Sequence, residues 1–210
     1  AYPDIEKLLP PVPLGEAGIR MARAFNSLDW HWWPSYAAIS TVARNGRSPC
    51  INLGPCNTGC PQGAKSSADI TYMARALNLG ATIIAKAAVS RVLTEGRKAV
   101  GVEYFDKGGE VHYLTAERVI LAASATGTPR ILLNSTSAQF PNGLGNDRDQ
   151  VGRHLMIHPL GFVEGIFDEE LDTDIGPQGC MIYSLEHYRS EDAEHELGYM
   201  LHVLRGTGPL

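Results

Sequence analysis

One run of residues constrains the fold of this 210-residue chain more than any other. Arg118 to Ala123 (RVILAA) is apolar almost throughout, and small residues connect it to the Thr128-Pro129 step. Short apolar runs are typical of parallel strands buried on both faces, and Pro is tolerated in the first turn of a helix. The run therefore predicts a buried strand over 118–123, a helix from Thr128 to Leu133, and an α/β fold.

Helix and strand patterns alternate through the rest of the chain. Apolar spacing predicts a helix over 15–28, and a second helix over 68–79 that ends at Gly80. The remaining predicted elements are strands within 81–93, a hairpin of 99–105 with 110–114, a strand-like stretch at 161–167, a loop at 171–179 and an acidic, exposed stretch at 186–196.

Composition excludes two classes of partner. A net charge of −5 provides no basic surface for a nucleic-acid backbone. No apolar run approaches the roughly 20 residues that a membrane-spanning helix needs. Hydrophobic residues make up 44% of the chain and charged residues 20%, which is typical of a globular protein. The sequence leaves the compartment open between bacterial cytoplasm and periplasm.

Three of the four cysteines are close together in sequence. Cys50, Cys56 and Cys60 fall within eleven positions, whereas Cys180 lies far along the chain. Three thiolates can ligate an iron–sulfur cluster, while a tetrahedral zinc site needs a fourth ligand. The spacing is compatible with a cluster, with another metal site, or with a compact loop of free thiols or one disulfide. One function it allows is that of an electron-transfer module that uses these cysteines alone.

Four stretches together resemble the glucose–methanol–choline (GMC) family of FAD-dependent oxidoreductases. They are Gly59–Ser67 (GCPQGAKSS), the strand pattern from Ala81 to Val92, Val119–Ser135 (VILAASATGTPRILLNS) and Val151–Pro159 (VGRHLMIHP). Two further features are most similar to the bacterial sugar and polyol dehydrogenases of the family. They are Phe140–Asn146 (FPNGLGN) and the loop that contains Cys50, Cys56 and Cys60, here called the Cys-rich loop.

The resemblance implies a Rossmann-like FAD-binding domain interleaved with a sheet-based substrate domain. Residues 1–79 would form a connector, a Cys-rich flavin-side loop and a helix. Residues 80–159 would belong to the FAD-binding domain and residues 160–210 would begin the substrate domain. The family's G-x-G-x-x-G phosphate loop and its C-terminal His and His/Asn pair are absent from this sequence. We therefore expect the chain to be an internal piece of a longer enzyme that is not active alone.

The same resemblance implies the chemistry of the site. The enzyme would oxidise the CH–OH group of an alcohol, sugar or polyol and pass hydride to FAD. The catalytic residues would lie outside this chain. If Cys50, Cys56 and Cys60 match the cluster ligands of some multi-subunit members, they would hold an iron–sulfur cluster that passes electrons to a cytochrome or small subunit. The alternative is a compact loop over the flavin that holds no cluster. The residues expected to contact the adenosine half of FAD are Val89, Ala122, Ala123, Ser124, Ala125 and Thr128.

Some positions depart from the family pattern. Ser124 replaces a common Gly, His154 a common Asn and Ile157 a common Asp.

Other residues allow two interpretations. The Trp30–Trp33 group would form either an aromatic wall of a substrate or flavin pocket or part of an ordinary core. Lys65 and Arg153 would neutralise a phosphate or anionic flavin, or be surface charges. We interpret His158 as structural or cofactor-adjacent.

Overall fold

The computed structural model describes residues 8–172, 175–189 and 198–205, and the chain divides into two compact units. Unit 1 comprises Ala1–Ala81 and Glu164–Leu210, and unit 2 comprises Thr82–Val163. The mixed content of helices and sheets confirms the expected α/β class. The start of the predicted connector, part of the 171–179 loop, most of the acidic stretch and the final residues (206–210) lie outside the described residues.

Helix α1 of unit 1 spans Gly15–Ser27, as the apolar spacing predicts. Its end is a Schellman motif, in which Asp29 adopts a left-handed φ of 56°. The Trp30 N–H donates to the Phe25 carbonyl at 3.0 Å, and the Asp29 N–H donates to the Asn26 carbonyl at 3.2 Å. The Trp30 ring then stacks on Phe25 with centroids 5.9 Å apart. The helix end thus fixes the first tryptophan of the Trp30–Trp33 group.

A three-stranded antiparallel sheet packs against α1 in unit 1. Strands β1 (Trp33–Pro34), β5 (Gly179–Ser184) and β6 (Leu201–Arg205) lie in the order β1-β5-β6. The sheet forms a core with α1 whose buried members are Ala22, Phe25, Met181 and Ile182. Leu14, Ala17, Met21, Trp30, Trp32, Leu201 and Val203 pack around them.

Arg205, at the end of β6, is buried at 4% exposure and bonds only to backbone carbonyls among the described residues. Its guanidinium donates to Gly176 O at 2.9 Å and Ile175 O at 3.2 Å. It also donates to Pro13 O at 3.4 Å and to Leu14 O. Burial lowers the pKa of Arg205 from its ordinary value, because desolvation disfavours the charged form. These bonds join the segment before α1 to the segment before β5.

The second helical segment of unit 1 begins with a π-helical part, Asp69–Met73, and continues as α2, Ala74–Asn78. It ends where the sequence predicts, with Gly80 at a φ of 89°. The Gly80 and Ala81 N–H groups donate to the Leu77 and Ala76 carbonyls at 3.0 Å. No helix in the described part of the chain is long and apolar enough to cross a membrane.

Unit 2 contains a second antiparallel sheet with the strand order β2-β3-β4. The strands are β2 (Ala88–Glu95), β3 (Lys98–Phe105) and β4 (Val111–Thr115), and the hairpin predicted between the last two is confirmed. Asp106 closes its turn by accepting the Gly108 and Glu110 N–H groups at 2.8 and 3.0 Å. The other carboxylate oxygen of Asp106, Oδ2, lies 3.0 Å from His112 Nε2. The His112 bond, followed by these backbone donors, lowers the pKa of Asp106.

Helix α3 of unit 2 spans Ser124–Asn134 and packs on β2. The buried Ser135 hydroxyl oxygen accepts the Val92 N–H at 2.8 Å, and the hydroxyl donates to Ile131 O at 2.6 Å. The helix begins four residues earlier than the Thr-Pro step indicates, so Pro129 lies inside it and not in its first turn. The cost is one missing backbone bond, because Pro has no N–H.

Three sequence-based strands are wrong. The run 118–123 is irregular, and Ile120 is 88% exposed. A parallel strand depends on hydrogen bonds from neighbouring strands, and no described strand pairs with this run. Residues 81–87 are likewise irregular, so that β2 begins only at Ala88. The stretch 161–167 is also irregular, with Ile166 fully exposed.

The loop Phe140–Asn146 packs on the C-terminal end of α3. Leu144 N–H donates to Leu132 O at 2.9 Å, and the buried Asn146 carboxamide accepts the Val151 N–H at 3.0 Å. Gly143 adopts a φ of 92°, and a Cβ placed there would lie 2.7 Å from Leu132 O. The loop therefore requires a residue without a side chain at this position.

We predict that Gly143→Ala destabilises unit 2 by about 2–4 kcal/mol, because it combines a left-handed backbone with a backbone clash. The matched control is Gly145→Ala, which has a φ of 67° but no atom within 4 Å of the new Cβ. The control carries only the backbone penalty, about 1 kcal/mol. Urea unfolding of both variants measures the difference, and equal losses would contradict the packing described for Gly143.

Candidate functional site

The segment Ala122–Ala125 lies exposed at the beginning of α3. The Ala123 N–H donates to the Thr128 hydroxyl at 3.1 Å, which holds the segment against the second turn of the helix. A Cβ at Gly127 would lie 3.2 Å from the Ala123 Cβ, so this turn suits small residues. Because its side chains are short, a ligand can approach the backbone of the segment closely.

Val89 lies half-buried in β2, and α3 is bonded to it. Arg130 of α3 donates from Nη2 to the Val89 carbonyl at 3.2 Å. Together with the Ser135–Val92 bond, this contact fixes α3 along β2. The predicted cofactor residues therefore belong to one packed pair of elements. Their contact with a cofactor stays a prediction.

Two departures from the family pattern occupy left-handed backbone positions. Ser124 has a φ of 68° and His154 a φ of 57°. Gly is the residue best suited to such a φ, and Asn is several-fold enriched there over most other side chains. Those are the two residue types that the resemblance leads one to expect. The conformation at these two positions is therefore one that the expected residue types favour. Nothing in the structure explains Ile157, which is exposed.

A cleft of about 440 Å³ lies beside α3, lined by helix residues and by Gly152, Arg153 and Leu155. Arg153, a predicted anion-binding residue, donates to the Asp149 carboxylate. Its charge is therefore already paired with an acid four residues earlier. His158 lies in an irregular, exposed stretch.

The Cys-rich loop of unit 1 is held by two cations. Arg47 donates from Nε and Nη2 to Gly63 O at 3.1 Å, and from Nη2 to Ala64 O at 2.7 Å. Its Nη1 donates to the Ser66 hydroxyl at 2.9 Å. Lys65 donates from Nζ to the Cys56 carbonyl at 2.9 Å. Lys65 therefore serves the loop backbone, whereas the sequence suggested an anion partner or a surface charge.

The backbone of this loop also affects the thiol of Cys60. The Lys65 N–H, and then those of Ala64, Gln62 and Gly63, lower the pKa of the Cys60 thiol, while burial opposes them. Arg47 binds the carbonyls of residues 63 and 64, and the N–H groups of the same stretch stabilise negative charge on the sulfur. A lowered pKa makes the thiolate of Cys60 more available near neutral pH.

The other two thiols have separate partners. Cys56 Sγ accepts the Gln178 N–H at 3.3 Å, and Cys50 Sγ accepts the Asn52 N–H at 3.5 Å. All three cysteines are free and line one pocket of about 20 Å³. Within the described residues, no group of three or more His, Cys, Asp or Glu could hold a metal ion. The cluster therefore does not fit this arrangement and stays a prediction from spacing. The side chain of Cys180 lies outside what the structure describes.

The tryptophans divide between two environments. Trp30 and Trp32 pack against the α1 core, as the ordinary interpretation of this group predicts. His31 lies beside them, with Nδ1 3.1 Å from Glu186 Oε2. Trp33, in β1, instead approaches Tyr183 of β5, with ring centroids 6.4 Å apart.

Sequence reasoning missed Tyr183 and its neighbour His202. Their ring centroids are 4.7 Å apart across β5 and β6. The only sequence signal was the alternation of Leu201-His202-Val203, a short strand pattern with no turn to mark it.

A family model described as GMC oxidoreductase matches residues 37–160. This chain belongs to the GMC oxidoreductase family, whose cofactor is FAD. It is 36% identical over 202 residues to 2-methyl-1,2-propanediol dehydrogenase of Mycolicibacterium austroafricanum, covering 95% of this chain and 37% of that protein.

Two further relatives show the range of the similarity. The fructose dehydrogenase large subunit of Gluconobacter japonicus is 32% identical over 150 residues, covering 70% of this chain and 27% of the relative. Paromamine 6'-oxidase of Streptomyces fradiae is 26% identical over 211 residues, covering 95% of this chain and 38% of the relative. The chain thus spans less than two fifths of the length of each of these relatives.

We predict that Cys60 is alkylated at lower pH than an ordinary thiol, because the thiolate is the nucleophile and the N–H groups stabilise it. A depressed pKa means that the thiolate persists as the pH falls below the ordinary thiol value. The measurement is the pH dependence of iodoacetamide labelling in a variant whose other three cysteines are Ser. Arg47→Gln should raise the midpoint, whereas Arg44→Gln should not. A midpoint equal to that of an unfolded peptide would contradict the arrangement.

Proposed function

We propose that the protein carrying this chain oxidises a CH–OH group of a small alcohol, polyol or sugar, with FAD as the hydride acceptor. The exposed small-residue segment at the start of α3, held against β2, is the observation that carries the proposal. It lies within the range matched by the family model. The relatives' names support the substrate class, because they include a dehydrogenase of a diol and one of a sugar.

In this proposal, unit 2 contributes to the FAD-binding domain. Ala122–Ala125 and Thr128 would lie along the adenosine half of the cofactor, with Val89 beside it. Thr128 would keep the Ala123 amide directed into the helix turn, so the outer surface of the segment stays open. FAD itself would supply the hydride-accepting ring. The β1-β5-β6 sheet of unit 1 would begin the substrate domain, and the Cys-rich loop would lie on the flavin side. We assign no catalytic residue.

The electron acceptor forms a second part of the proposal. We propose a cytochrome or small subunit as the acceptor. The Gluconobacter relative is named as a large subunit, which supports a partner subunit. The three thiols line one pocket but have separate partners, so we derive no step through an iron–sulfur cluster. Whether a cluster is present is decided by assaying iron and acid-labile sulfide. The assay uses the full-length gene product, purified without air.

The direct test is flavin reduction. The full-length gene product, loaded with FAD, should lose its oxidised-flavin absorbance when mixed without oxygen with propane-1,2-diol or fructose. The chain of residues 1–210 alone should show no sustained turnover with FAD and a dye acceptor, because it contains no G-x-G-x-x-G sequence to hold the pyrophosphate. A full-length protein that binds FAD but is reduced by no alcohol would refute the proposed activity.

We predict that Ala123→Leu weakens FAD retention tenfold or more, because a bulky side chain would occupy the surface along which the cofactor lies. The matched control is Ala138→Leu, which places the same side chain at another exposed position of unit 2. FAD content after gel filtration measures both variants, and circular dichroism confirms folding. Equal retention in the two variants would place the adenosine half elsewhere.

A further inference from the structure

A row of three rings crosses the β1-β5-β6 sheet. Trp33 pairs in register with Tyr183, and Tyr183 pairs with His202. Directly opposite residues on neighbouring strands project to the same face of a sheet. Ile182, the neighbour of Tyr183, is completely buried in the α1 core, so the row lies on the face away from α1.

The polar atoms of this row lack partners within the described protein. The Tyr183 hydroxyl and the His202 ring nitrogens make no hydrogen bond there, and His202 is exposed. The Trp33 Nε1 donor is buried and has no acceptor. A buried donor without an acceptor destabilises a structure, and a bound group that supplies an acceptor removes that cost.

We propose that the Trp33–Tyr183–His202 row is the platform that binds the substrate alcohol and selects a small, neutral polyol. This inference rests on the proposed function. Ring faces pack against the C–H groups of a polyol, while the hydroxyl, imidazole and indole N–H bond to its oxygens.

The composition of the row argues for a neutral ligand. It contains no carboxylate, ammonium or guanidinium group. A nucleotide would also stack on the rings, but its phosphates require cations, and Lys or Arg is absent from the row. A monohydric alcohol would leave part of the polar edge without a bond. A compound with two or more neighbouring hydroxyls can form hydrogen bonds with more of these polar atoms, so the row should bind diols more tightly than simple alcohols.

The test uses the full-length gene product loaded with FAD and stopped-flow measurement of flavin reduction. Tyr183→Phe and His202→Ala should each raise the half-saturating concentration of propane-1,2-diol about five- to tenfold, the loss expected for one hydrogen bond. The limiting rate should change less than twofold. The preference for propane-1,2-diol over propan-1-ol should fall by a similar factor, an effect that general destabilisation would not produce.

Tyr72→Phe is the matched control, because Tyr72 is 79% exposed on the π-helical segment and outside the row. If both row variants bind the diol like this control while the unmutated protein is reduced normally, the platform is refuted and the proposed function stands. If the unmutated protein binds FAD but no alcohol reduces it, both fail. Tyr183→Phe keeps the ring, so the test remains decisive even if His202→Ala does not fold.

Discussion

Guanidinium groups bonded to backbone carbonyls hold together the irregular parts of unit 1. Backbone carbonyls removed from water need a partner, and much of this unit lies outside helices and sheets. Arg47 supplies donors to residues 63 and 64, and Arg205 supplies donors to the segments before α1 and β5. A planar group with five donors can serve several carbonyls at once, which Lys cannot do with the same geometry. Arg47 therefore holds the Cys-rich loop, and Arg205 holds the segments that lead into α1 and into the β1-β5-β6 sheet.

In unit 2 the corresponding constraint is backbone conformation. Ser124, Gly143 and His154 all occupy left-handed positions around α3. At Gly143 the neighbouring backbone also excludes any side chain, whereas the other two positions admit polar residues at the cost of strain. Ser124 and His154 therefore hold a backbone conformation that Gly or Asn would adopt with less strain.

The sequence predicts the elements that depend on local interactions. Helix α1, the Gly80 helix end and the β3–β4 hairpin follow from spacing and turn residues within one segment. The run 118–123 could not be predicted in this way, because a parallel strand exists only where other strands bond to it. Likewise, Tyr183 and His202 become neighbours of Trp33 only through the register of distant strands. The resemblance predicts the segment that contacts the cofactor, but no motif indicates that Arg47 bonds to the carbonyls of residues 63 and 64.

The environment of Cys60 bears on both interpretations of the Cys-rich loop. A free thiolate and a metal-bound cysteine sulfur both carry negative charge, so converging N–H groups stabilise either one. What distinguishes them is whether the other two thiols turn toward the same point. Here Cys56 accepts a bond from the Gln178 backbone and Cys50 from the Asn52 backbone. Binding a cluster would compete with these two bonds. The three sulfurs therefore have separate surroundings within the described part of the loop, and they form no common ligand set there.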